Sequence, residues 1–140
     1  MDWEECYKKR IVKEVNEDIN LIESLLKTSK NKFDSQSLLE LNEKSASSKI
    51  SLSYDSLREV LESLALKKRY KVYNHECYTP FLKEIMNMAG LGSEFDELRK
   101  IRNSINYYGK EISINEALNV LNRIALLREK VLGLINNNSM

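Results

Sequence analysis

Apolar side chains recur at steps of three and four residues in five segments of the chain, and this periodicity is the feature that most constrains the fold. Such spacing gathers the apolar residues on one face of an α-helix, whereas a half-buried strand would alternate apolar and polar residues. The chain also contains only four glycines and one proline, which is too few for a loop-rich all-β protein. The sequence therefore predicts an all-α fold.

The apolar stripes and the capping residues before them predict the helix boundaries. We expect helices over residues 4–28, 34–68, 79–88, 93–108 and 113–135, with a polar break near residues 28–32 and a connector over residues 70–75 that is too short to form a sheet. Short connections between amphipathic helices are typical of an up-and-down bundle of four or five helices. With no long linker, residues 1–140 fit a single domain.

Charge and cysteine content exclude several functional classes. A formal net charge of +1 gives no general attraction to nucleic acid or membranes, so binding to either would need a local patch. Cys6, Cys77 and a single histidine fit no zinc-site spacing, and we expect two reduced thiols, no metal and no cofactor. The first residues are acidic rather than basic, and no apolar run reaches the ~20 residues of a membrane span. We expect a cytoplasmic protein without a membrane partner.

Most of the polar chemistry lies in the segment Glu97–Gly109. Arg99, Arg102 and Asn106 are three and four residues apart, so their side chains can meet on one stripe of a helix. A guanidinium group beside an amide and the phenol of Tyr107 suits a phosphate or nucleic-acid contact. A salt-bridge cluster at a helix end is the alternative interpretation.

A family resemblance follows from three parts of the chain: the runs Ser53–Ala65 and Lys68–Cys77, and the later pair Arg102-Asn103. Together they resemble the prokaryotic HEPN domain, over roughly residues 35–130. The resemblance implies a four-helix-type bundle with a long second helix, usually homodimeric. In active members, an Arg, a polar residue and a His four to six residues further on face their counterparts across the dimer cleft and cleave RNA without a metal. Other members are non-catalytic or pair with a minimal nucleotidyltransferase in toxin–antitoxin modules.

The sequence departs from the HEPN signature at the histidine. Arg102 and Asn103 match, but Tyr107 and Tyr108 stand where the histidine would be. A phenol with a pKa near ~10 is a poor proton acceptor at neutral pH compared with an imidazole near ~6.5. Arginine can still bind phosphate, because that role needs no proton transfer. We therefore expect a non-catalytic homodimer that binds a nucleotide, RNA or the nucleotidyltransferase through a cleft lined by Arg99, Arg102, Asn103, Asn106 and Tyr107.

Two alternatives remain open at this point. The first is a metal-independent, toxin-type ribonuclease in which Arg102 acts with His75 or Tyr107. Against it, the Asn-His-Glu sequence around His75 is more typical of a turn and helix cap than of a catalytic base. The second alternative is an unrelated structural helical bundle, since a fold does not determine a function.

A second basic segment interleaves Lys67, Lys68, Arg69 and Lys71 with Tyr70 and Tyr73. Cations that hold phosphates and rings that stack on bases would make this segment a small nucleic-acid contact surface. Basic residues in the last turn of a helix also complement the helix dipole, and we favour that interpretation.

Overall fold

The computed structural model describes the backbone of residues 1–108 and 111–137, and their side chains except those of Tyr107 and Tyr108. Within these residues the chain forms six helices and one pair of short strands, which confirms the predicted all-α helical bundle. The elements in chain order are α1 (Trp3–Lys8), β1 (Val12–Glu14), α2 (Ile19–Leu38), α3 (Ala46–Lys67), β2 (Tyr70–Val72), a 3₁₀ turn (His75–Cys77), α4 (Tyr78–Pro80), a π turn (Phe81–Ile85), α5 (Ala89–Tyr108) and α6 (Ile114–Asn137).

Helix α3 lies at the centre of the bundle and packs against α2, α5 and α6. Its apolar side chains Tyr54, Leu57, Leu61 and Leu64 are fully buried. The charged residues that this helix buries have partners, because Lys49 donates to the Leu39 carbonyl and Glu59 pairs with Lys32.

Small residues bring α2 close to α3. The Ser29 hydroxyl donates to the Ser56 carbonyl at 2.7 Å, and the Ser56 hydroxyl donates to the Ser29 carbonyl at 2.9 Å. Arg128 of α6 joins this contact, because its Nε donates to Ser56 Oγ at 2.7 Å while its guanidinium carbon lies 4.7 Å from the Phe33 ring centroid. The buried arginine thus links three helices through hydroxyl groups and an aromatic ring.

The predicted first helix over residues 4–28 is wrong. Arg10 adopts a left-handed backbone with φ of 59°, which a right-handed helix excludes. The chain then enters β1, and Asp18 starts α2 by accepting a hydrogen bond from the Leu21 amide at 3.0 Å. The apolar spacing of Ile11 and Val15 suits a helix, yet Val12 pairs with Val72 of β2. A contact distant in sequence therefore overrides the local pattern.

The predicted break near residues 28–32 and the predicted cap at Asp34 are also wrong. Helix α2 continues through both, and Asp34 forms an ion pair with Lys30 at 2.6 Å within the helix. Three of the polar residues that suggested a break contact α3 instead: Ser29 is buried against it, and Thr28 and Lys32 bind Glu59. The chain leaves the helix at Leu39, and α3 begins at Ala46 rather than near residue 34.

The connector after α3 and the third predicted helix also differ from expectation. Residues 70–72 form β2, which pairs with β1 in a two-stranded antiparallel sheet. The predicted helix over residues 79–88 is a short α4 followed by the π turn, and Pro80 ends α4 instead of starting a helix. Helix α5 begins at Ala89, ahead of the predicted cap at Ser93. The predicted start of the last helix near residue 113 is confirmed, because the Glu116 amide donates to Ser113 Oγ at 3.1 Å.

The prediction of two reduced thiols is wrong, because Cys6 and Cys77 form a disulfide. Both are fully buried, and the bond closes a loop between residues 71 positions apart. It fastens α1 to the 3₁₀ turn. Among the described residues, no helix combines the length and the apolarity needed to cross a membrane.

Gly92 offers a direct test of the packing between α5 and the turn before it. A Cβ atom at this position would lie 2.5 Å from Lys83 Cγ and 2.9 Å from the Thr79 carbonyl oxygen. We predict that Gly92→Ala lowers the free energy of unfolding by about 1–3 kcal/mol, because backbone must move to relieve the overlap. Urea denaturation measures the change.

Gly133→Ala in α6 is the matched control, since no described atom lies within 4 Å of the added methyl group. It should raise the free energy of unfolding by about 0.5–1 kcal/mol through helix propensity. Equal effects of the two substitutions would contradict the close approach at Gly92.

Candidate functional site

Apart from Leu52, the central segment of α3 reaches the surface along one polar stripe. Between residues 51 and 66, every residue is buried except Leu52 and the four polar residues of the stripe. These four are spaced by steps of four, three and four, which places them on one face of the helix. We call this surface the α3 stripe: Ser51, Asp55, Arg58 and Glu62.

Side chains from α5 and β2 pair with the α3 stripe along its length. Ser51 donates to Asn106 Oδ1 at 3.1 Å, and Arg102 Nη2 lies 3.5 Å from Asp55 Oδ1. At the other end, Lys71 Nζ lies 3.1 Å from the Glu62 carboxylate. The sequence prediction that Arg102 and Asn106 share one stripe of their helix therefore agrees with the structure, which places that stripe against α3.

Two arginines share one carboxylate oxygen at the centre of the α3 stripe. Asp55 Oδ1 lies 3.5 Å from Arg102 and 3.8 Å from Arg58, and both distances exceed those of a normal hydrogen bond. The guanidinium carbon of Arg102 also lies 5.1 Å from the centroid of the Tyr54 ring. One carboxylate thus faces two cations, which leaves positive charge in excess at this point.

Buried polar atoms beside this pair lack hydrogen-bond partners among the described residues. They are Asp55 Oδ1, Arg102 Nε and Asn103 Oδ1, together with Arg99 Nε one turn earlier on α5. Buried polar groups in proteins are nearly always hydrogen-bonded, so unpaired donors and acceptors in one place indicate capacity for a ligand. The side chain of Arg102 is 15% exposed and that of Arg58 is 43% exposed, so the pair is reachable from solvent.

Arg99, which the sequence grouped with Arg102, has a different partner. It lies 3.0 Å from Asp96, which also contacts Lys100 at 3.0 Å and accepts a hydrogen bond from Thr79 at 3.2 Å. Burial raises the pKa of Asp96, but hydrogen bonds from Arg99 and Lys100 outweigh it and lower the pKa to about 2. Arg99 therefore has a closer carboxylate partner than Arg102 or Arg58 has in Asp55.

The surface groove next to Arg99 carries charges of both signs. Its lining includes four carboxylates, Asp2, Glu76, Glu84 and Asp96, and three basic side chains, Lys83, Arg99 and Lys100. Arg99 forms an ion-pair cluster with Asp96 and Lys100 at this groove. Its predicted role in binding an anion stays a prediction.

His75 lies in the same cluster as Arg102, because both contact Tyr54. The Nδ1 atom of His75 is 2.5 Å from the Tyr54 hydroxyl, and the two rings meet edge to face at 5.7 Å. Burial, and to a smaller extent the charges of Arg58, Arg102 and Arg99, together lower the pKa of His75 to about 4. The imidazole is therefore neutral near pH 7.

The segment around His75 forms a turn with a cap, as predicted, but the capping side chain is that of Asn74. Asn74 Oδ1 accepts a hydrogen bond from the Glu76 amide at 3.0 Å and starts the 3₁₀ turn. His75 itself packs against Tyr54 of α3. The side chain of Tyr107, the other candidate for catalysis, lies outside the described residues, and so do Gly109 and Lys110.

Sequence reasoning missed three residues of this site: Tyr54, Asp55 and Arg58. A signal was present, since Asp55, Arg58 and Glu62 fall at helical spacing within the predicted helix. The spacing does not identify the residues that these side chains contact, because Arg102 and His75 come from elements distant in sequence. The described residues contain no group of three or more His, Cys, Asp or Glu side chains that could hold a metal ion.

Comparison with known proteins adds no family assignment. No protein-family model matches the chain, and the curated proteins contain no match to it. The resemblance to HEPN domains therefore stays a prediction, and the functional argument rests on the geometry of the site.

The lowered pKa of His75 predicts a pH dependence of stability. In the unfolded chain His75 takes up a proton near its ordinary pKa of ~6.5, whereas the folded chain resists protonation down to about 4. The unfolded state thus binds more protons in this window, so stability falls as the pH drops from about 7 to 4. We expect a contribution on the order of 1 kcal/mol, because the half-buried ring is partly screened by solvent.

His75→Gln isolates this contribution, because glutamine can still accept a hydrogen bond from Tyr54 but does not titrate. Urea denaturation at pH 7, 5.5 and 4 should show a smaller loss of stability for the variant than for the unchanged protein. Parallel losses would contradict the placement of a neutral His75 among the arginines.

Proposed function

We propose that this chain is a HEPN-like, non-catalytic binding module that takes a phosphate group of RNA or of a nucleotide between Arg58 and Arg102. The single observation that carries the proposal is the sharing of one Asp55 oxygen by two guanidinium groups, at 3.5 and 3.8 Å. A phosphate would supply the second negative charge and the short hydrogen bonds that Asp55 does not provide.

The chemistry of arginine suits this ligand. Each guanidinium presents several N–H donors in a planar fork that matches the oxygens of a phosphate. Arg102 is held in place by the Tyr54 ring and Asp55, whereas Arg58 is more exposed and can move toward a ligand. Asn103 Oδ1, buried without a partner among the described residues, can accept a hydrogen bond from a ligand hydroxyl or amino group.

The contact between Tyr54 and His75 favours binding over cleavage. Burial raises the pKa of Tyr54, so the phenol keeps its proton and can donate it to Nδ1 of the neutral His75. The imidazole proton then lies on Nε2. In this tautomer His75 can donate a hydrogen bond to a phosphate but cannot take a proton from an attacking hydroxyl.

Metal-independent RNA cleavage is the second candidate, because His75 and Arg102 contact the same tyrosine ring. It requires the other tautomer, in which Nδ1 donates to the Tyr54 oxygen and Nε2 accepts a proton. His75 would then take the proton of a ribose 2′-hydroxyl as its oxygen attacks phosphorus and the bond to the 5′-oxygen breaks. Arg102 would stabilise the charge on the phosphorus-bound oxygens.

The HEPN resemblance supports two further parts of the proposal, a homodimer and a minimal nucleotidyltransferase as partner protein. The cytoplasmic location was expected from the acidic amino terminus and from two reduced thiols. The disulfide bears on this location, since disulfides are rare in reducing compartments. A cytoplasmic location requires that the fold also form with Cys6 and Cys77 as thiols.

Binding of a fluorescently labelled, unstructured RNA in EDTA tests the proposal by anisotropy and by gel analysis of the same samples. Arg102→Ala and Arg58→Ala should each weaken binding by roughly 10- to 100-fold, the range expected when charge-assisted hydrogen bonds are lost. Arg102→Lys should restore only part of the affinity, because it keeps the charge without the fork. We expect the RNA to stay intact.

Arg123→Ala is the matched control for loss of one positive charge. Arg123 belongs to another ion-pair cluster, with Glu94 at 2.5 Å and Glu97 at 2.6 Å. Its substitution should therefore leave RNA binding unchanged. Cleavage that disappears in both Arg102→Ala and His75→Gln would instead establish the ribonuclease. Absence of binding and cleavage in a monomeric protein would favour a purely structural bundle.

A further inference from the structure

An exposed tyrosine lies beside the α3 stripe, on the outer face of the β1–β2 pair. The strands pair Val12 with Val72, and both of these side chains are buried in the core. Because side chains alternate along a strand, Lys13 and Lys71 point to the opposite face, together with Tyr73 just after β2. Tyr73 is 56% exposed, and Lys13 Nζ lies 5.9 Å from the centroid of its ring.

This outer face continues into the Arg58–Arg102 site. Lys71 binds Glu62 at 3.1 Å, and Glu62 lies one helical turn from Arg58, a separation of about 6 Å between Cβ atoms. Tyr73 also precedes His75 by two residues, and His75 contacts the same Tyr54 ring as Arg102. The Lys71–Glu62 ion pair therefore connects the outer face of the strand pair to the α3 stripe.

The surroundings of Tyr73 are basic. Lys9, Arg10 and Lys13 are exposed on or just before β1, and the Tyr73 amide donates to the Ile11 carbonyl between them. Glu14, the one acidic side chain within the two strands, lies opposite Tyr70 at the far end from Tyr73, next to the exposed Arg69. An exposed ring bordered by cations suits a base attached to a phosphate backbone better than an apolar protein segment.

We propose that Tyr73 stacks an unpaired base of single-stranded RNA, while Arg58 and Arg102 hold a neighbouring phosphate. This inference rests on the proposed function and narrows its ligand from any phosphate compound to a strand with unpaired bases. Bases within a duplex are stacked on one another and do not offer their faces to a side chain. Lys13 lies where it can contact a second phosphate of the same strand.

Two labelled probes of equal length separate stacking from charge: an unstructured eight-nucleotide RNA and an eight-unit abasic oligomer with the same phosphates and no bases. Tyr73→Ala should weaken binding of the RNA roughly 5- to 100-fold and leave the abasic oligomer within 2-fold of the unchanged protein. Tyr73→Phe should keep the affinity for RNA, because the ring is retained. Lys13→Gln should weaken both probes and reduce the salt dependence of binding.

Arg102→Ala in the same experiment distinguishes failure of this inference from failure of the proposed function. If Arg102→Ala weakens both probes but Tyr73→Ala changes neither, the phosphate site stands and the stacking site is refuted. If the unchanged protein binds neither probe, or if Arg102→Ala has no effect, the proposed function itself fails. Equal weakening of both probes by Tyr73→Ala would also refute stacking. Because Tyr73 is exposed, its variants should unfold at the same temperature as the unchanged protein.

Discussion

The burial of α3 on all but one side is the constraint on which the rest of the structure depends. Helices α2, α5 and α6 all pack against this helix. The charged residues that it buries have partners, as Glu59 has Lys32 of α2, whereas Asp55 and Arg58 lie on the partly exposed α3 stripe. Arg102 reaches this stripe from α5, and His75 contacts the neighbouring Tyr54.

The all-α fold class and the position of the last helix could be predicted from the sequence because they depend on local signals. The α6 stripe and the Ser113 cap lie within a few residues of the bonds they form. The N-terminal elements could not be predicted in this way. Their structure depends on pairing between residues 12 and 72 and on the contact of Ser29 with Ser56, both of which join residues distant in sequence. Helical spacing alone does not distinguish a continuous helix from such an interruption.

Part of the candidate site was likewise accessible from sequence. Arg102 and Asn106 stood out through their spacing on one helix, and the structure keeps both against the α3 stripe. Asn103 entered through the HEPN resemblance. Arg99 pairs with Asp96, three residues earlier on the same helix, and its predicted role in binding stays a prediction. The position of Arg58 was missed because an arginine on an exposed helix face is usually a solvated surface residue.

The central claim is that Arg58 and Arg102 have hydrogen-bond donors that Asp55 does not fully use and that can together bind a phosphate. The most direct test is a nuclear magnetic resonance titration of the arginine Nε–Hε signals with inorganic phosphate, against sodium chloride at equal ionic strength. Arg58→Lys and Arg102→Lys variants assign the two signals. The account predicts that both signals shift together along one saturable curve, specific to phosphate, while the Arg123 signal stays in place. Equal, unsaturable shifts of all arginine signals, or no shift of the Arg102 signal, would contradict it.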